Sequence, residues 1–340
     1  MGRKRLRSNV FVEIPRHNSR CHMLLIPCRL PPATLVDMRR LIVNADDFGL
    51  TTGVNRAIVE CHQRGIVSST TLMATGAQLA EAVQLAAALP TLGVGCHVVL
   101  VDGEPLLPPR EVRSLLAPGT DRFYNTATEI LMAQARGKFS AKEIEAEATA
   151  QFIRLQQYGV RLTHFDAHKH THMFPRILLP LLRAAKTAGI AAVRNPFEPA
   201  AAVPMSEALG NRTLLVRKME TTLLRAAFRR KWLRLVREAG LVTTDGSLGV
   251  STTGVLNEAR LRALLARIPE ESTTEKSLSN KTWELVCHPG YNDAELSKVR
   301  TKLRDSRETE RAALLSLTPN TLREEYAVEL IGFHELNTRH

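Results

Sequence analysis

The chain has 340 residues, of which 44% are hydrophobic and 24% are charged, and its net charge is +12. These proportions are typical of a soluble globular protein and exclude a chain that is disordered throughout. The five cysteines are odd in number and include no C-x-x-C pair, which argues against a disulfide framework or a cysteine zinc site and favours a reducing cytoplasm.

The positive charge is concentrated in two segments. Residues 1–40 and residues 212–239 each carry a net charge of +7, so the rest of the chain sums to −2. We therefore expect no nucleic-acid partner for the body of the protein. A non-enzymatic binder of nucleic acid or of an anionic membrane, acting through these two segments, stays open as an alternative.

The first 38 residues contain four prolines and no sustained periodicity, and they are predicted to be a disordered basic extension. Met38 directly precedes the first strand pattern and is an alternative start of the chain. No apolar run here approaches the roughly 18 residues of a membrane span, and none is long enough for a secretory leader. The expected location is cytoplasmic.

From Arg40 onward, short apolar strands alternate with helical patterns, which indicates βαβ units and a parallel sheet. The predicted strands are Leu41–Ala45, Ser69–Ala74, Gly93–Val99, Leu162–Ala167, Ala191–Arg194, Ser247–Ser251, Glu284–Cys287 and Val328–Gly332. The predicted helices are Gly53–Arg64, Leu79–Leu89, Ala141–Tyr158, Ile177–Ala188, Leu214–Glu238 and Asn257–Arg267. This alternation favours a single irregular (β/α) barrel, similar to a TIM barrel, over residues 39–335.

Three connections between these elements are long: Val101–Ser140, Asn195–Thr213 and Thr273–Lys281. Loops that follow the strands of a barrel line its active face, so the first two are candidate walls of a substrate site. The helix Leu214–Glu238 is amphipathic and basic. Packing on the core with a solvated face is its ordinary role, and a lid or a membrane-surface contact is the alternative.

Two of the chemically informative motifs lie at the first and third predicted strands. Asp46 and Asp47 follow an apolar strand, where adjacent carboxylates are costly unless they bind a cation or share a proton. One can bind a metal while the other acts as a base; a surface turn with a helix cap is the alternative. His97 lies inside an apolar strand and needs a polar partner there, as a ligand or as a hydrogen-bonded core residue.

The most specific motif is THFDAHKHTH, residues 163–172. Side chains of a strand alternate between its two faces, so His164, Asp166, His168 and His170 point the same way as long as the chain is extended, with His172 just beyond. This arrangement predicts several imidazoles and one carboxylate in a small volume. A solvated histidine tract is the alternative.

His288 stands in a Cys-His-Pro-Gly turn at the end of the strand Glu284–Cys287 and is a candidate general acid or a structural turn residue. All four motifs lie at strand ends, and the carboxyl ends of parallel strands meet at one edge of a sheet. One carboxylate and two imidazoles that leave coordination positions open suit a catalytic divalent metal.

The stretches LIVNADDFGL, GIVSSTTLMATG, GVGCHVVL, THFDAHKHTHMFP and CHPGY, in this order, resemble the YdjC-type carbohydrate deacetylases, which include chitooligosaccharide deacetylases and hopanoid-biosynthesis-associated deacetylases. The resemblance spans Arg40 to about Tyr291. It implies an irregular (β/α) barrel and a hydrolase that removes the acetyl group from an N-acetylglucosamine-type sugar, free, oligomeric or lipid-linked.

Carried onto this sequence, the resemblance implies that Asp47, His97 and His168 bind one divalent metal ion, magnesium or zinc. It also implies that Asp46 is the general base and that His288 protonates the leaving amine. Asp166 and His170 match positions near the metal and are expected to support the ligands or to contact the substrate.

The expected partner is an N-acetylated carbohydrate. A second copy of the chain, or a peripheral membrane contact if the substrate is lipid-linked, stays open. The enzymatic alternative is a metal-dependent phosphoesterase on a similar barrel, because Asp and His clusters also hold two-metal sites.

Overall fold

The computed structural model describes residues 38–268 and 281–336. The expected basic extension, apart from Met38, lies outside the described residues, as does the connection Thr273–Lys281 apart from Lys281. The strands are β1 (Arg39–Phe48), β2 (Ser69–Leu72), β3 (Gly93–Val98), β4 (Phe165–Ala167), β5 (Gly246–Leu248), β6 (Thr282–Cys287) and β7 (Val328–Leu330).

These strands form one parallel sheet in the order β4-β3-β2-β1-β6-β5, with β7 also paired to β1. Strand β1 is central, and its residues Leu41, Ile42 and Val43 are fully buried. Such a continuous apolar run is typical of a parallel strand covered on both faces. The predicted α/β class with a parallel sheet is confirmed.

The expected barrel of eight strands is formed only in part. The predicted strand Ala191–Arg194 is not one of the seven strands; Val193 makes an isolated parallel bridge to Phe165, and Ala192 makes one to Val242. Pro196, two residues beyond this segment, has no N–H to donate to a ladder. The described residues therefore form a half-barrel surrounded by helices.

The six predicted helices are confirmed to within a few residues at each end. They correspond to α1 (Thr52–Arg64), α2 (Leu79–Ala87), α4 (Ala141–Gln157), α5 (Pro175–Thr187), α7 (Arg212–Ala239) and α8 (Glu258–Ala266). The sequence analysis did not predict α3 (Ala127–Ala135), α6 (Met205–Leu209), α9 (Ala294–Lys298), α10 (Asp305–Leu315) and α11 (Pro319–Tyr326).

Two of the missed helices lie within the long connections. Helix α3 begins with a capping box in which Thr126 and Glu129 satisfy each other's backbone N–H groups. Like α6, it has at most nine residues, too few for an apolar period to repeat clearly. None of the helices that the structure describes is sufficiently long and apolar to cross a bilayer.

The alternation of side chains along β1 separates the core from the site. Leu41, Val43 and Ala45 belong to the large apolar cluster beneath the helices, whereas Ile42 packs in a small inner cluster. Asn44 follows Ile42 on the inner face. The interior of the half-barrel is thus apolar at its base and polar at the carboxyl ends of the strands.

Candidate active site

The two carboxylates at the end of β1 reach the same side of the sheet because the strand is bulged. Between the pairs Ala45–Thr70 and Phe48–Leu72 the register shifts, so β1 holds one more residue than β2. Asp47, the second of the two intervening residues, has a positive φ of 68°. Asp tolerates this left-handed conformation better than most residues. Adjacent residues of a regular strand would point to opposite faces.

Two imidazoles from neighbouring strand ends converge beside Asp47. Its Oδ1 atom lies 3.4 Å from His97 Nε2 and 3.4 Å from His168 Nδ1, and the two ring nitrogens are 3.2 Å apart. This group is one of two in the described residues whose atoms are close enough to share a metal ion. Asp47 Oδ1 is buried and has no hydrogen-bond partner. An orphaned carboxylate oxygen facing two imidazole nitrogens fits a divalent cation.

The other oxygen of Asp47 already accepts a hydrogen bond. Arg307, on α10, donates from Nη2 to Asp47 Oδ2 at 2.5 Å. Burial alone would raise the pKa of Asp47, but Arg307 and the two histidines lower that pKa well below its usual value. Asp47 is therefore held as a carboxylate that presents a single free oxygen.

Asp166 fixes the orientation of His97. The imidazole Nδ1 lies 2.7 Å from Asp166 Oδ1, which directs Nε2 towards Asp47. A carboxylate on the far nitrogen of a metal-binding histidine sets its tautomer and increases its basicity. Burial alone would lower the pKa of His97, but Asp166, Asp47 and Asp46 raise it to about 10. A metal ion at Nε2 must consequently compete with a proton.

The second group of clustered acids is occupied by an arginine. Arg194 is fully buried and donates two hydrogen bonds to Asp46, at 2.6 and 2.7 Å, and one to Glu284, at 2.6 Å. It is also paired with Asp166. The other candidate metal group, Asp46, His97 and Asp166, is thus neutralised by the guanidinium.

These contacts set the charge states of the cluster. Burial would raise the pKa of Asp46, but the bidentate pairing with Arg194 outweighs burial and lowers it far below its usual value. Glu284 has the opposite balance, because burial raises its pKa to about 7 in spite of Arg194. Asp46 is therefore ionised, and Arg194 holds both of its oxygens in place.

His288, in the turn after β6, lies between Asp46 and Glu310. Its Nε2 is 3.8 Å from Asp46 Oδ2, and its Nδ1 is 3.8 Å from Glu310 Oε2. Glu310 also accepts a hydrogen bond from the backbone N–H of His288 at 2.6 Å. Burial alone would lower the pKa of His288, but Glu310 and Asp46 raise it. The ring therefore holds a proton more readily than a free imidazole does.

The remaining histidines of residues 163–172 do not all point into one volume. Strand β4 ends at Ala167, and Lys169 and His170 take left-handed conformations, so the expected alternation stops before His168. His164 lies deeper in the interior, where it bonds Asn44 at 3.1 Å and stacks on Phe333.

The other two histidines of this tract are uncharged. Burial lowers the pKa of His172 well below its usual value, and burial together with Arg194 lowers the pKa of His170 to about 3. His172 is fully buried, and its backbone carbonyl accepts a hydrogen bond from Trp232. A supporting or substrate-binding role for His170 stays a prediction.

Sequence reasoning missed four charged residues that hold the site together. Arg194 ends a predicted strand, and Glu284 begins another; a charge within an apolar strand was the available signal. Arg307 and Glu310 lie on α10, which was not predicted, and nothing local marks them as partners of distant motifs.

Comparison with known proteins gives consistent matches. A family model described as YdjC-like protein matches residues 40–324. A carbohydrate deacetylase from Brevibacillus brevis is 44% identical over 147 residues, which cover 43% of this chain and 56% of that protein. The match thus spans little more than half the length of this relative.

A solved structure resembles the whole described fold. It is that of a proposed cellobiose-phosphate cleavage protein from Enterococcus faecalis V583, with a TM-score of 0.66 and 25% sequence identity. The alignment covers 88% of this chain and 99% of that one.

Proposed function

Because this chain belongs to the family of YdjC-like proteins, we propose that it is a metal-dependent hydrolase that removes the acetyl group from an N-acetylated sugar. The observation that carries the proposal is the convergence of Asp47, His97 and His168 around an unpartnered, buried carboxylate oxygen. A coordination set of one carboxylate and two imidazoles leaves positions for water and substrate, as catalytic metal sites require.

In this proposal, Asp47 Oδ1, His97 Nε2 and His168 Nδ1 bind the ion. Two imidazole ligands favour zinc or another transition metal, while the resemblance to the family admits magnesium. A divalent ion bound there would polarise the acetyl carbonyl and acidify a water molecule, which allows a carboxylate of low pKa to accept its proton.

Asp46 is the proposed base. Arg194 holds both of its oxygens, so the carboxylate is oriented before substrate arrives and does not have to reorganise during the reaction. It takes a proton from the attacking water as the bond from the water oxygen to the acetyl carbon forms.

His288 is the proposed acid. When the C–N bond breaks, the sugar nitrogen must gain a proton, since an amide anion is a very poor leaving group. The raised pKa of His288 favours the protonated ring that this step needs, and Glu310 holds the backbone of the turn in place. The products are acetate and an amino sugar.

The expected substrate is an N-acetylglucosamine-type sugar. The connection between β3 and α4, predicted as a substrate wall, is tied to the site because Lys169 donates to Asp102 at 2.6 Å and to the carbonyl of Asn125 at 3.0 Å. It therefore lies beside His168, where it can select among sugars.

A direct test measures acetate release from a panel of N-acetylglucosamine compounds by the protein after chelation, with single metals added back. We expect activity only after addition of a divalent metal, with one ion bound per chain. A metal-loaded protein that releases no acetate from any N-acetylated sugar would contradict the proposal.

The phosphoesterase alternative requires two ions about 3.5–4 Å apart. Arg194 fills the second candidate group with its guanidinium, which disfavours a second ion. Two ions per chain, together with hydrolysis of a phosphate ester, would reverse this preference.

A further inference from the structure

The outward face of α6 and the first half of α7 exposes an unusual number of apolar side chains. Of the nine large hydrophobic residues that are exposed in the described parts of the chain, five lie within residues 205–223: Met205, Leu209, Val216, Met219 and Leu223. Leu209 and Leu223 are 68% and 70% exposed. Single exposed apolar residues are ordinary, but a cluster marks an interaction surface.

The second half of the same helix face is cationic. Val216, Met219 and Leu223 are followed, about fourteen residues or four turns later, by Arg230, Arg234 and Arg237 on the same side of α7.

Some of these cations are free to bind a partner. Arg230, Lys231 and Arg237 are exposed and form no ion pair or hydrogen bond within the described residues. Lys218, in contrast, is turned inward and donates to the carbonyls of Ala200 and Val203. Arg234, on the same side, is paired with Glu238 at 3.7 Å. The outward face thus joins an apolar half to a basic half in which Arg230 and Arg237 are unpaired within the described residues.

The inward face of α7 contacts the segment that follows His168. Trp232 donates from its indole nitrogen to the carbonyl of His172 at 3.0 Å, and Phe228 packs on Phe174 with ring centroids 5.7 Å apart. A surface that binds the outward face would therefore lie close to the segment that carries the metal ligand His168.

We propose that the outward face of α6 and α7 docks on an anionic lipid surface. Arg and Lys would lie at the level of the lipid phosphates, while Met and Leu side chains enter the boundary of the acyl chains. Charge decides between this occupant and a second copy of the chain. Two copies packed through this face would bring the exposed cations Arg230, Lys231 and Arg237 of both helices together, whereas an anionic bilayer neutralises them.

The experiment is co-sedimentation of the full chain with vesicles of phosphatidylcholine alone and of equimolar phosphatidylcholine and phosphatidylglycerol. We expect binding to the anionic vesicles only, and weaker binding as salt is raised. Because residues 1–40 also carry a charge of +7, the comparison between variants is the decisive one.

Leu223→Glu should reduce the partition coefficient by about tenfold or more, because it places a charge where an apolar side chain enters the membrane. The matched control is Ile153→Glu, at another exposed apolar residue, on α4, which should bind like the wild type. Far-ultraviolet circular dichroism checks that both variants fold, and Met219→Glu replaces Leu223→Glu if the latter does not. Acetate release is not part of the readout, so failure of the proposed activity would leave this test intact.

Equal binding by the wild type and Leu223→Glu would overturn the proposal, since binding would then come from elsewhere in the chain. It would also be overturned if anionic vesicles bound no protein while Leu223→Glu converted a dimer into a monomer, which would assign the face to a second copy.

Discussion

Two groups of buried acids lie side by side at the carboxyl edge of the sheet, and they differ in what compensates them. Around Arg194, the carboxylates of Asp46, Asp166 and Glu284 are all hydrogen-bonded or paired to one guanidinium. Beside them, Asp47 keeps one oxygen without a partner, facing the imidazoles of His97 and His168.

The difference shows which group is already filled by a cation and which has an oxygen left over. Arg307 compensates the charge of Asp47 through Oδ2, but a buried oxygen without a partner, such as Oδ1, is costly, so a fold keeps one only where something binds or where strain is tolerated. In this interior the arginine fills one group with a permanent cation. The other is shaped for a cation that comes from solution.

The largest effect is expected from removing a ligand of the open group. His168→Ala should abolish stable metal binding and reduce acetate release by about 10³-fold, because a metal used as a Lewis acid supplies several kcal/mol and each 1.36 kcal/mol is tenfold in rate. Elemental analysis after dialysis and an acetate assay measure the two effects. His334→Ala, at a histidine outside both groups, serves as control. Full metal content in His168→Ala would remove this residue from the ligand set.

A change in the group of carboxylates around Arg194 should affect turnover but not metal content. Asp46→Asn keeps the shape of the side chain while removing the base, so we expect a loss of about 10²-fold or more in turnover with the metal retained. The matched control is Asp121→Asn, at an exposed carboxylate. Unchanged turnover would exclude Asp46 as the base, and loss of the metal would show that the two groups are not separable.

Neutralising Glu284 should change how stability depends on pH. Its folded pKa, raised to about 7, lies above the unfolded value of 4.5, so its contribution to stability is complete below about pH 4.5 and is lost as the pH rises through 7. The shift, in which the bond to Arg194 is already included, corresponds to about 3 kcal/mol. Glu284→Gln removes this titration and should therefore flatten the decline between pH 5 and 8 by up to about 3 kcal/mol. Chemical unfolding across this range measures the free energy of unfolding of both proteins. If the free energy of the variant declined with pH as steeply as that of the wild type, the pKa assigned to Glu284 would be contradicted.

The smallest effect is expected from a change at Glu310, which lies beside His288. Glu310→Gln removes a negative charge near His288 and should lower the pKa of that histidine, which shifts the alkaline decline of turnover to lower pH by less than about one unit. The pH profile of kcat records the shift, with Glu324→Gln, at an exposed acid, as control. A profile that does not move would mean that His288 is not the acid whose deprotonation limits the rate.

Much of the open group could be predicted from the sequence, because its members follow strands with clear apolar patterns. Parallel strands bring their carboxyl ends to one edge, and this rule predicted that the four motifs meet there. The choice of Asp47, His97 and His168 among their residues came from the resemblance to the family. Their roles as ligands stay a prediction. The pairing of Arg194 with the carboxylates around it was not predicted. The bond from Arg194 to Asp46 joins residues 148 positions apart and leaves no local pattern in the sequence.

The errors have physical causes as well. Alternation along an ideal strand predicts that His170 shares a face with His168, but the left-handed residues Lys169 and His170 end the alternation. The barrel is formed only in part because the fifth predicted strand, Ala191–Arg194, makes only isolated bridges, to Phe165 and Val242. Helix α10, which supplies Arg307, has only 11 residues and begins with a strongly polar stretch. Its sequence therefore shows no clear apolar period.

The bulge at the end of β1 has a consequence for anyone who would transplant this chemistry. The proximity of Asp46 and Asp47 is encoded in the backbone, by one additional residue and one left-handed turn, and side-chain rotation could not reproduce it. A designer who copied the aspartates and histidines onto a regular parallel sheet would place one acid in the core and the other in the cavity. The irregular backbone would have to be copied with the residues.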